Sequence, residues 1–233
     1  MPSARRQPPH RCPPAFLAGT SAEFLGRKPW PRVIRERHVI FVLGPEGSGK
    51  TQVARRMQAY TDQNAKASGE GSVYLDSRAL QHAVLDRVRR GTWAEPLLAA
   101  RSLVLDGPVW LRNRAGLVEL LVELLRERER ERRRTIVCQS DNDGSIEALI
   151  GAMDIGSIVV VGLRFPKGRR GRLNYARRVC DELGIPREAA RGTEIIEPWG
   201  YEVVAEHLRR WPFDGDPSQL RDPWADPLRS GSK

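Results

Sequence analysis

Residues 44 to 51 read Gly44-Pro45-Glu46-Gly47-Ser48-Gly49-Lys50-Thr51, and they stand between the apolar run Val39-Ile40-Phe41-Val42-Leu43 and an amphipathic segment. The octapeptide satisfies G-x-x-x-x-G-K-[ST], a loop whose backbone cradles phosphates when a strand precedes it and a helix follows. Both conditions are met. The run before it is short, β-branched and uninterrupted by polar residues, which predicts a strand buried on both faces of a parallel sheet. After it, Val53, Ala54 and Met57 recur at helical spacing, so the loop N–H groups face outward at a helix N-terminus, where an anion is favoured. The residue types divide the work: glycines let the backbone wrap, Lys50 reaches the β and γ oxygens, and the Thr51 hydroxyl is a Mg²⁺ ligand. The chain therefore reads as a nucleotide binder, with Gly44, Gly47, Ser48, Gly49, Lys50 and Thr51 as contacts, ATP and Mg²⁺ as cofactors, and Lys50 as a catalytic candidate.

With 233 residues, the chain has room for one well-buried α/β domain plus appendages, not for two full enzymatic domains. Its formal net charge of +10, arginine-dominated, would attract polyanions such as nucleic acid or an acidic partner. Cys12, Cys138 and Cys180 are isolated and form no C-x-x-C pair, which argues against a disulfide framework or a zinc site and for a reducing compartment. His10 beside Cys12 makes only a two-ligand cluster. No long apolar run and no charged-then-apolar leader stands in the sequence, so no membrane partner is expected and the location is read as cytoplasmic.

Residues 1–37 hold eight Lys/Arg against two acids, with frequent proline, and read as a basic arm, largely disordered, in which Phe16, Leu17, Phe24 and Leu25 can fold back on the domain. Residues 38–163 alternate strand-like and helical runs, the rhythm of a doubly wound sheet. Five strands are expected: His38 to Leu43, Ser72 to Leu75, Ser102 to Asp106, Thr135 to Gln139 and Ser157 to Val161. Between them fall helices at Lys50 to Tyr60, Ser77 to Arg89, Trp93 to Ala99, Gly116 to Arg133 and Ser145 to Ile150. Residues 164–211 carry two more helices, Arg172 to Leu183 and Gly200 to Trp211, expected to form a small truncated helical lid beyond the sheet. Residues 212–233, rich in proline, aspartate and tryptophan, read as a tail. The charges from Arg126 to Arg134 are most simply a solvated helix end whose last arginines face the negative end of the dipole.

Leu103-Val104-Leu105-Asp106 is an apolar strand ending in an aspartate, the arrangement by which a P-loop enzyme steadies Mg²⁺ through a water. Asp106 is therefore a metal and catalytic candidate alongside Thr51. The next position is Gly107, where hydrolysing enzymes of this type usually carry a second acid. Ser140 and Asp141, after the following strand, are the best substitutes: Ser140 as a hydrogen-bond donor sensing the γ-phosphate, Asp141 as the group that orients water.

The succession GPEGSGKT, VYLDSRALQHAVLDRVRRG, SLVLDGPVWL, RTIVCQSD and LRFPKGRRGRLNYARRVCDELGIP, from about Val39 to Arg210, resembles the AAA+ domain of DnaA-type replication initiators and of the DnaC and IstB-like helicase loaders. The resemblance implies a P-loop NTPase of the ASCE/AAA+ type, with a five-stranded parallel sheet flanked by helices and a small lid. It carries over Gly44 to Thr51, Asp106 and Ser140 as nucleotide contacts. Three family features are missing: the second acid at 107, the trans-acting arginine in Gly151-Ala152-Met153-Asp154, and the γ-phosphate-reading arginine in Gly200 to Arg210. No helix-turn-helix domain follows the lid, so sequence-specific duplex recognition is not expected.

Arg164, Lys167, Arg169, Arg170, Arg172, Arg177 and Arg178 precede the next acid, Asp181. This run suits a phosphate backbone, with Phe165 and Tyr175 as stacking surfaces. It equally suits a solvated lid face with both aromatics in a small core, or, at Arg169 or Arg170, a replacement for the missing trans arginine. Three functions follow. The first is a nucleic-acid-associated ATPase or nucleotide switch in DNA replication, recombination or transposition, with a protein partner or homo-oligomer. The second is a non-hydrolysing ATP-binding adaptor, and the third a small-molecule or nucleotide kinase.

Overall fold

The run ahead of the loop is a strand in the interior of a six-stranded sheet whose order is β1-β6-β2-β5-β4-β3. A computed structural model describes residues 15–25, 32–63, 71–107, 115–140, 145–153, 158–193 and 200–210. The strands are β1 (Ala15–Gly19), β2 (Val39–Leu43), β3 (Val73–Leu75), β4 (Ser102–Asp106), β5 (Arg134–Gln139) and β6 (Ile158–Leu163), and every pairing is parallel. The helices are α1 (Ser21–Leu25), α2 (Arg32–Glu36), α3 (Lys50–Gln63), α4 (Ser77–Arg90), α5 (Glu95–Ala99), α6 (Ala115–Arg130), α7 (Ser145–Ala152), α8 (Gly168–Leu183) and α9 (Tyr201–Arg209).

Alternation along β2 explains why it carries no polar residue. Val39 and Phe41 enter the cluster formed with α4, α5, α6 and α7, while Ile40 and Val42 enter the cluster formed with α1, α3, α8 and α9. Both faces are covered, so both need apolar side chains. Helix boundaries follow local chemistry: the Asp76 carboxylate accepts from the Ala79 N–H at 2.8 Å to start α4, and Gly91 in a left-handed conformation ends it.

Two expectations need correction. Among the described residues the sheet has six strands, not five, because Ala15–Gly19 pairs with β6 at its edge. An edge strand hides only part of its side chains, and Phe16 is 65% exposed, so its pattern is weak amid arginine and proline. Gly162 leaves room for the Phe16 ring, whose Cζ would stand 2.9 Å from a Cβ there. Residues 1–14, 26–31 and 211–233 of the expected arm and tail lie outside the described residues.

The second correction concerns the charged end of α6. Arg128 is 1% exposed, enclosed between α5 and β5. Its guanidinium donates to the carbonyls of Leu97, Leu98 (3.1 Å) and Arg134 (2.7 Å) and to Thr135 Oγ1 (2.9 Å). Arg133 likewise donates to the carbonyl of Ala99. These arginines satisfy the carbonyl end of α5, which a five-residue helix cannot close by itself.

The helices expected beyond the sheet are joined to its core. Tyr175, Ala176, Val179 and Cys180 of α8 and Tyr201, Val204, Ala205 and Leu208 of α9 share one apolar cluster with Ile40, Val42, Val159 and Val161. Among the described residues no helix is long and apolar enough to cross a membrane.

Candidate nucleotide site

The loop 44–49 leaves the carboxyl end of β2, which lies between β5 and β6, and runs into α3. Open parallel sheets place ligands at this end of their strands. Close approaches shape the loop. At Gly49 the backbone is left-handed (φ 86°), and a Cβ would lie 2.7 Å from Ser21 Oγ, so no other residue fits. Gly47 offers its carbonyl to the Tyr201 N–H at 2.9 Å, which fastens the start of α9 to the loop. Beneath this junction Ser21 Oγ and the Tyr175 hydroxyl lie 2.6 Å apart. Burial pushes the Tyr175 and Tyr201 phenols up, so both remain protonated.

Lys50 folds over the loop and donates to the carbonyls of Gly44 (3.0 Å) and Pro45 (2.8 Å). Thr51 Oγ1 donates to Asp106 Oδ2 at 2.6 Å, joining the first turn of α3 to the end of β4. Ser48 Oγ is buried and has no hydrogen-bond partner among the described residues. An orphaned hydroxyl inside a phosphate-type loop, an ammonium across it and a hydroxyl–carboxylate pair at its exit make a donor set that fits a magnesium-bound triphosphate. Among the described residues no cluster of three or more His, Cys, Asp or Glu forms a metal cage.

No family model and no curated protein matches the sequence. Solved structures do. Domain III of the Thermotoga maritima replication initiation protein DnaA superposes with a TM-score of 0.53 at 16% identity, over 80% of this chain and 77% of that one. The fold is the one seen in that DnaA domain. A replication initiator DnaA bound to AMPPCP and single-stranded DNA gives a TM-score of 0.50 at 14% identity, covering 80% of this chain and 54% of that one. A DnaC helicase loader aligns at 17% identity with a TM-score of 0.42, over 62% and 86% of the two chains.

Within this fold the loop residues, Thr51 and Asp106 are brought together. Ser140 follows β5, the strand between β2 and β4, while Asp141 lies outside the described residues. Arg164, Lys167, Arg169 and Arg170 are exposed and Arg172 is half-buried, on the link from β6 into α8. They form a second group, not part of the Thr51–Asp106 pair. Phe165 connects the groups, its ring within 4.0 Å of the Cβ position of Gly47. Between the β1–α1 turn and α8 lies an open hollow of about 350 Å³ lined by Thr20, Glu23, Arg164, Phe165, Lys167 and Arg178, among others. Phe165 is 36% exposed, but Tyr175, at 4%, is a core residue tied to Ser21.

Sequence reading misses three residues. Ser21 and Tyr201 touch the loop from segments assigned to the arm and the lid, and nothing in their local pattern announces it. Tyr74 is the third: its hydroxyl donates to Asp106 Oδ2 at 2.6 Å.

Gly107 is left-handed (φ 69°) and its N–H donates to the carbonyl of Cys138 at 3.0 Å. A second acid at this position would be forced into a conformation unfavourable by about 1–2 kcal/mol for an L-residue. Gly107→Glu is therefore expected to lower stability by about that amount without raising ATP turnover, as read by thermal melting and phosphate release. A variant as stable as the wild type and faster in turnover would overturn this.

Proposed function

We propose that this chain is an ATP-dependent switch of the DnaA-like AAA+ type, acting on nucleic acid in replication, recombination or transposition, with slow or partner-dependent hydrolysis. The observation that carries the reading is the Thr51–Asp106 hydrogen bond at the exit of a complete phosphate loop. In this reading Gly44, Gly47, Ser48 and Gly49 wrap the phosphates, Lys50 meets the β and γ oxygens, Thr51 and Asp106 hold the cation, and Ser140 faces the γ-phosphate. Magnesium, when bound, draws charge from the β and γ oxygens. Tyr201 and Ser21 support the loop from α9 and α1, so its occupancy is coupled to the elements that carry the cations of α8.

The nucleic-acid half of the reading rests on the exposed cations that begin where β6 ends, one residue from Phe165. Phosphate contacts give affinity without base choice and fail in salt. A labelled single strand is expected to bind more tightly with ATP than without it, and to lose affinity as salt rises. Replacing Arg164, Lys167 and Arg170 together by alanine is expected to reduce the slope of log K against log salt by about 2, from roughly 0.7 per contact. Absence of salt-sensitive binding in the presence of ATP would sink this half.

Gly107 favours one second reading, a nucleotide-stabilised adaptor for a protein partner, because the residue after Asp106 is a left-handed glycine, where an acid would be strained. Steady-state hydrolysis by the wild type, lost in Lys50→Ala and raised by DNA, would remove the adaptor reading.

A further inference from the structure

Two donors converge on one carboxylate oxygen in a way the phosphate-loop pattern does not require. Thr51 Oγ1 and the Tyr74 hydroxyl each donate to Asp106 Oδ2, both at 2.6 Å. The register explains how a residue on the edge strand arrives there. Tyr74 pairs with Val104, and Asp106 lies two residues further along β4, on the same face. Neighbouring strands lie about 4.8 Å apart and two residues along a strand span about 6.6 Å, a diagonal that a tyrosine and an aspartate side chain can bridge together. The phenol therefore spans from β3 to the end of β4.

The ring is held from the other side. The Arg55 guanidinium carbon lies 4.4 Å from its centroid, over the face. Arg55 stands on α3 one turn beyond Thr51, so a single helix supplies a donor to the carboxylate and the cation against the ring of the second donor. Among the described residues, no hydrogen bond reaches the other oxygen of Asp106. Two donors on Oδ2 stop the carboxylate from rotating and leave Oδ1 as the oxygen available to a cation's water.

We infer that Tyr74 is a positioning residue of the cation site, fixing the plane of the Asp106 carboxylate so that Thr51 and Asp106 present their oxygens together. The inference rests on the nucleotide reading given above. It makes Tyr74 matter chiefly when a cation is bound, because the Tyr74 hydroxyl donates to Asp106. Groups that orient a metal's immediate partners typically change metal affinity by about ten- to a hundredfold when removed.

The test is ATP binding by Tyr74→Phe, measured by calorimetry across a magnesium titration and again in EDTA. Phenylalanine keeps the ring, its stacking with Arg55 and its packing, and deletes only the hydroxyl. The magnesium concentration giving half-maximal enhancement of ATP binding is expected to rise at least about tenfold, while affinity in EDTA stays within about twofold of the wild type. A second arm places the change in an Asp106→Asn background, where Tyr74→Phe is expected to add nothing further, because groups acting through one partner are not additive. An unchanged magnesium requirement, an equal loss in EDTA, or a full effect in the Asp106→Asn background would each overturn the role of Tyr74. Failure of the wild type to bind ATP with or without magnesium would instead overturn the nucleotide reading, and this inference with it.

Discussion

Arg128→Met is expected to lose about 3–5 kcal/mol of folding stability, read as a lower urea midpoint with little change in slope. The side chain is 1% exposed and donates to three backbone carbonyls and to Thr135 Oγ1. Methionine fills much of the volume but supplies no donor, so acceptors at the end of α5 and the start of β5 are left in a space that water cannot enter. Each such orphan costs about 1–3 kcal/mol. Burial, with a smaller push from Arg133, lowers the Arg128 guanidinium to about 10. That is still far above neutrality, so the group is charged in the folded and unfolded chains alike, and the deficit is expected to stay flat near neutral pH. Glu131→Ala, an exposed position in the same charged run, serves as the control and is expected to change stability by no more than about 0.5 kcal/mol. An Arg128→Met variant within about 1 kcal/mol of the wild type would show that the arginine is dispensable to the α5–β5 junction.

What could be read from the sequence divides along physical lines. The phosphate loop is legible because its chemistry fixes residue types at fixed offsets, and its flanking periods name a strand and a helix. The strands β2, β4, β5 and β6 are legible because burial on both faces demands unbroken apolar runs. Asp106 is legible because it closes one of them. By contrast, β1 is an edge strand with half its side chains outward, and its neighbours are arginine and proline, so composition outweighs its pattern. Arg128 sits in an alternation of arginine and glutamate that looks solvated. Nothing in the string distinguishes it from Arg126 or Arg130; only the arrival of α5 carbonyls at that one position buries it. Tyr74 depends on the register of β3 against β4, a fact that belongs to the pairing of two strands and not to either one. The cations around Arg164 are legible as charge, but the separation of Phe165 from Tyr175, one exposed beside the loop and the other bonded to Ser21 in the core, comes from how α1 meets α8.

Lys50→Ala is expected to weaken ATP binding by about 30- to 150-fold, the equivalent of ~2–3 kcal/mol for losing hydrogen bonds from a charged donor. The same change is expected to leave the melting temperature of the nucleotide-free chain nearly unaltered. Lys50 donates to the carbonyls of the buried Gly44 and the half-buried Pro45, and because Lys50 itself is only half-buried, withdrawing its donor is expected to cost little. The loop is held elsewhere, by Tyr201 on Gly47 and by the fit of Gly49 against Ser21. Affinity and stability should therefore separate in this variant, which a misfolded loop would not allow. Isothermal titration with ATP and magnesium, paired with a melt in the absence of nucleotide, reads both quantities on one preparation. Unchanged affinity would mean that the ammonium does not meet phosphate, and the loop would then have to be read as a structural turn between β2 and α3.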